Sequence, residues 1–163
     1  MRWITARSVS GNEIYQLYKS EKKILTLSFN PFSNSARIEF DKEKRVFLVR
    51  KEGFLKKKIV LRNEYGVKIG ELGQEHKQEF IDMNDQRFYY ATRNNPGSEL
   101  VLYKESIEKP VVICSLNTDN GNTSININEK SGMDVLSHSG LLIALCWYLF
   151  LPAARENEVQ YTS

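Results

Sequence analysis

Along most of the chain apolar and polar residues alternate with a period of two, the pattern of strands that bury one face and expose the other. Ala36, Ile38 and Phe40 fall on one side of such a stretch and Arg37, Glu39 and Asp41 on the other, an arrangement foreign to a helix. The same alternation marks Leu25 to Phe29, Lys58 to Arg62, Arg87 to Ala91 and Ser124 to Asn128. Turn residues separate these runs, among them Ser10-Gly11-Asn12, Asn30-Pro31, Asn63 to Gly66, Asn84-Asp85, Asn94 to Gly97 and Asp119 to Asn122. Gly and Asn accept positive φ and Pro presets the turn, so each cluster can close a hairpin. The spacing predicts about twelve strands, at 2–8, 13–19, 22–29, 35–41, 44–50, 57–62, 67–72, 77–82, 86–92, 98–104, 110–116 and 123–129. Connections this short fit an antiparallel meander and leave no room for an interior helix.

The C-terminal part breaks the pattern. Gly140 to Ala154 carries no charge, and Leu141 to Leu151 is an unbroken run of eleven apolar residues. Ser131, with Asp134 three positions on, resembles a capping box, and Pro152 ends the run, so a helix is expected over 132–151 with a polar tail at 155–163. That helix is apolar on every side and must be surrounded, by protein or by lipid. A spanning helix needs about 20 predominantly apolar residues, and runs of about 10–14 are more often core helices. Two readings follow: a helix enclosed by the strands, or a tail anchor in which 135–154 crosses a bilayer.

The composition narrows the class. With 163 residues, 41% of them hydrophobic and 26% charged, the chain is long enough to bury a core as one domain, here expected over 1–154. A disordered tail, a collagen-like fibre and a cysteine-stapled mini-protein are excluded. Cys114 and Cys146 lie in apolar surroundings and read as packing residues. Met1 to Arg7 contains no apolar core of a signal peptide, so a cytoplasmic monomer is expected, either free or peripheral to a membrane.

A mainly β chain of about twelve strands ending in one all-round hydrophobic helix resembles the tubby-like superfamily, which includes tubby proteins, phospholipid scramblases and LURP-one-related proteins. The stretch Asn63 to Leu72, a polar turn with Gly66 followed by a strand with Gly70, is similar to the hairpin repeat of these families. The resemblance implies a closed antiparallel barrel around a central C-terminal helix, and closure would remove the sheet edges. The cysteine-rich segment, proline-rich arm and calcium loop of the scramblases have no counterpart, so calcium-dependent scrambling is not implied.

The charge is uneven. From Lys42 to Lys68 ten basic residues stand against three acids, a local net of +7 within a chain of net +3. Tubby domains bind phosphoinositide headgroups through exterior Lys and Arg. By resemblance Arg50, Lys51, Lys56, Lys57, Lys58 and Arg62 are the candidate anionic-lipid site, with Phe54 and Leu55 at the loop tip. The plainer reading of these cations is a solvated strand face that keeps edges from pairing.

Other chemistry finds little footing. His76 and His138, the two histidines, have no ligand-spaced partners, and no Ser or Cys has an evident base beside it. Gly66, Gly70 and Gly73 lack the spacing of a dinucleotide loop, and Asp119 to Asn122 lacks the acids of a calcium loop. Tyr15, Tyr18, Phe88, Tyr89, Tyr90 and Tyr103 read as barrel packing rather than as a platform for bases. The expectation is a non-enzymatic binding module without metal, cofactor or nucleic acid, its partner an anionic headgroup or a protein at the membrane surface. The alternatives are the tail anchor and a barrel that holds a small ligand.

Overall fold

The computed structural model describes residues 1–53, 58–93, 99–115, 123–127 and 140–151, with the strand residues 7–9 and 123–127 described by backbone alone. Among the described residues the fold is mainly β, antiparallel and barrel-like, with one C-terminal helix. The strands are β1 (Arg2–Val9), β2 (Asn12–Lys19), β3 (Lys22–Asn30), β4 (Ser35–Phe40), β5 (Val46–Glu52) and β6 (Lys58–Asn63). They continue as β7 (Lys68–Glu75), β8 (Gln78–Met83), β9 (Gln86–Arg93), β10 (Glu99–Tyr103), β11 (Pro110–Ser115) and β12 (Thr123–Ile127). Each strand pairs with its neighbours in the chain, and β1 also meets β12 at Arg2↔Ser124 and Trp3↔Thr123. The helix, α1, covers 140–151 among the described residues.

The strand positions agree with the alternation to within a few residues, and the departures have local causes. The β5 strand begins at Val46 rather than at 44, because Lys44 takes a φ of 49° and the Phe40 N–H donates to Arg45 O at 3.0 Å, which lengthens the turn. The β7 strand runs on to Glu75 because its hairpin is closed by His76 and Lys77, both at positive φ (49° and 64°), with no Gly or Asn to announce the turn. The predicted turns at Asn94 to Gly97 and Asp119 to Asn122 lie outside the described residues. So do His138, the helix start at 132–139 and the tail 155–163.

Inward residues of β1 to β11 make one apolar core with α1. Every residue of 140–151 is buried except the half-buried Leu149. Trp147 stacks on Trp3 of β1 (5.3 Å, 18°), meets Tyr15 of β2 edge-on at 5.6 Å and lies 6.1 Å from Phe150. One residue on, Tyr148 packs edge-on against Phe29 of β3 at 6.0 Å. On another side, Cys146 faces Cys114 of β11; both thiols are free and buried, and the hydrogen bond with Cys114, aided by burial, holds the Cys146 thiol above its ordinary range. The two cysteines are packing residues, as their apolar surroundings indicated. Strands from several sides of the sheet thus cover one helix that is greasy all round.

Gly70 shows how tightly neighbouring strands approach. A Cβ there would lie 2.8 Å from the backbone oxygen of Asp82 in β8 and 3.3 Å from the Leu61 side chain. Backbone cannot move aside as a flexible side chain can. Gly70→Ala is therefore expected to destabilise the fold by about 1–3 kcal/mol, the usual cost of overpacking, read as a lower urea midpoint at unchanged m-value.

Candidate functional site

Of the cations of the 42–68 segment, Arg50 of β5 and Lys58 and Arg62 of β6 share the outward face, and the sheet supplies carboxylates that pair with them. Glu52 accepts from Arg50 Nε at 2.7 Å and from Arg62 through Nε (3.0 Å) and Nη2 (2.8 Å). Arg62 also donates through Nη1 to Gly66 O at 2.9 Å, which ties β5, β6 and the following turn together. These two guanidinium groups, Arg62 first, pull the Glu52 carboxyl down to about 2. Because its folded-state pKa is depressed, this pairing is fully present above the ordinary carboxylate range and is lost as pH falls toward about 2. Glu71 of β7 does the same for Lys68 (2.5 Å) and Lys58 (3.6 Å), and both cations, Lys68 first, hold its carboxyl below the usual range.

Folding thus alters the site foreseen from the sequence. Arg50, Lys58 and Arg62 are brought onto one face, each beside a carboxylate, and Lys51 is exposed at the end of β5. Lys56 and Lys57, with Phe54 and Leu55, lie outside the described residues. Each carboxylate answers two cations, so each group of three retains one positive charge.

A concavity of about 430 Å³ lies near Lys68, Glu71, Asp82 and Arg87, where charges of both signs are already matched. Arg87 holds Asp82 through Nε (2.7 Å) and Nη2 (2.8 Å), pairs with Glu75, and covers the Phe80 ring at 4.0 Å. A second concavity, about 360 Å³ on the outside of β2 to β5, is lined by Ser28, Asn30, Ser35, Arg37, Leu48 and Arg50 among others, with no carboxylate in its wall. The cross-strand register assembles it: Ser28 faces Arg37 and Arg37 faces Leu48, while Asn30 faces Ser35 on the neighbouring row. Arg37 donates through Nε to Glu39 at 2.8 Å, and Arg50 through Nε to Glu52, and both side chains are 56% exposed. A guanidinium carries five donors, so both retain N–H groups for an incoming anion. Two such forks beside hydroxyls and an amide form a chemistry suited to phosphate or carboxylate oxygens.

No family model, curated protein or solved structure matches this chain. Charge counting along the sequence does not single out Arg37, Ser28 or Ser35; the usable signal is the outward parity of Arg37 on a cleanly alternating strand. Only register shows that it stands near Arg50. Among the aromatic residues, Tyr15 and Phe88 are core residues and Tyr90 packs against the core, while Tyr89 and Tyr103 stack on each other at 5.9 Å. His76 is exposed at a turn beside Glu75, and no group of three or more metal-type ligands occurs among the described residues.

Proposed function

We infer that this chain is a non-enzymatic binding module of tubby-like type, a closed barrel around its C-terminal helix, and that its outer face recognises anionic phospholipid headgroups at a membrane surface. The observation that carries the reading is the concavity lined by Arg37 and Arg50 without a carboxylate in its wall. The closed form is supported by the β1–β12 pairing and by the burial of α1. With α1 among the inward side chains, the apolar interior suits packing, and polar groups that could take a ligand lie outside. This favours an exterior headgroup over a small ligand held within the barrel.

The tail-anchor alternative would draw Leu141 to Leu151 out of the core and leave the inner faces of the strands uncovered. No helix among the described residues is long and apolar enough to cross a membrane. Sedimentation with vesicles tests the headgroup reading. Bound protein should rise with the phosphatidylserine fraction of phosphatidylcholine vesicles and fall as salt is raised from 0.05 to about 0.5 M, since screening weakens attraction to an anionic surface. Binding indifferent to both variables would refute it.

A further inference from the structure

The turn between β3 and β4 presents Phe32 to solvent at 94% exposure. Moving such a ring out of water would remove a large apolar area from solvent. The turn beneath it is firmly held. Asn30 Oδ1 accepts from the N–H groups of Phe32 (2.9 Å) and Ser33 (3.2 Å), and Pro31 restricts φ just before the ring. From inside the fold, the Tyr148 hydroxyl of α1 donates to Asn34 O at 2.6 Å. Burial pushes the Tyr148 hydroxyl up to about 12, so it remains a donor throughout the neutral range. The ring is thus carried on a braced support, and little backbone entropy remains to be lost when it docks.

The arginine-lined concavity opens directly below this turn, since Asn30 and Ser35, which flank it, also line the concavity with Arg37 and Arg50. We propose that Phe32 is the side chain this module inserts into the lipid bilayer, with the β3–β4 turn pointing into the membrane and Arg37 and Arg50 meeting headgroup phosphates just above it. An apolar tip with cations set one layer back matches the order of layers in an anionic leaflet, where acyl chains lie beneath the charged headgroups. The inference rests on the headgroup reading for its arginines, but the insertion of Phe32 has its own test.

A solvatochromic fluorophore placed on Phe32→Cys reports insertion, because Cys114 and Cys146 are buried and the new thiol is the accessible one. The control is the same label on Tyr65→Cys. Tyr65 is also highly exposed (83%), but it lies in the β6–β7 turn, at the opposite end of an up-and-down meander. On phosphatidylcholine/phosphatidylserine vesicles the label at 32 should shift to the blue and be quenched by acyl-chain spin labels, while the label at 65 stays aqueous. Phe32→Ala should weaken sedimentation by roughly tenfold or more, the factor that corresponds to burying a phenyl side chain. Sedimentation with a label at 32 that stays aqueous overturns the insertion and leaves the headgroup reading intact. Equal insertion into vesicles with and without phosphatidylserine overturns the headgroup reading and leaves the insertion. Absence of binding to either vesicle overturns both, and assigns the exposed ring to a protein partner.

Discussion

Replacing Trp147 with alanine is expected to lower folding stability by about 3–5 kcal/mol, the range for deleting a buried aromatic side chain from a packed core. The indole is 4% exposed and touches Trp3, Tyr15 and Phe150, so its loss opens a cavity where β1, β2 and α1 meet. For a chain of this size each kcal/mol shifts Tm by about 2–4 °C, so a fall of about 10 °C should be seen. Trp147→Phe should behave differently. The Nε1 hydrogens of Trp3 and Trp147 find no acceptor among the described residues. A buried unsatisfied donor costs about 1–3 kcal/mol, so phenylalanine removes a penalty while retaining most of the ring packing. Its net cost is expected to stay below about 1.5 kcal/mol, as for moderate changes of core volume. Chemical denaturation of the three proteins decides the matter. If Trp147→Ala lies within about 1 kcal/mol of the parent, α1 is not the core of this fold, and a helix free to enter lipid becomes the better account.

Strand positions were legible because a half-buried strand writes its two faces into alternate residues, as Ala36, Ile38 and Phe40 do against Arg37, Glu39 and Asp41. The helix was legible because eleven apolar residues in a row have no place on a surface. Among the described residues, the turns announced by Gly, Asn or Pro at Ser10-Gly11, Asn30-Pro31, Asn63 to Gly66 and Asn84-Asp85 are present, whereas the His76-Lys77 turn carries neither Gly, Asn nor Pro and takes positive φ all the same. The site was only half legible. Local charge counting marks Arg50, Lys58 and Arg62, but it cannot foresee that Glu71, three positions beyond the basic segment, reaches back to Lys58. Nor can it foresee that Arg37 of β4 shares a concavity with Arg50 of β5. Both facts depend on register, and a one-residue slip would turn every one of these side chains to the other face.

Reversing the two arginines together, Arg37→Glu with Arg50→Glu, should reduce binding to anionic vesicles by about a hundredfold or more. Each reversal changes the local charge by two, and a cation near an anionic surface contributes about 1 kcal/mol, so about 4 kcal/mol is at stake before screening. At 0.15 M salt the Debye length is about 8 Å, and part of this is lost to solvent. The fold should tolerate the change. Both side chains are more than half exposed, and surface ion pairs such as Arg37 with Glu39 contribute about 0–1 kcal/mol. The companion variant reverses Lys68, which is held by Glu71 on the far side of Val60 from Arg50. It changes the net charge per substitution as much as either arginine does, but it leaves the wall of the concavity intact. A module that reads only net charge would respond to Lys68→Glu as strongly, per charge, as to the arginine pair. A module that seats a headgroup between guanidinium forks loses far more per charge at Arg37 and Arg50, and its residual binding keeps a shallower dependence on salt. Equal losses per charge would therefore reject a defined headgroup site in favour of diffuse attraction, and unchanged binding in the double variant would reject this face altogether.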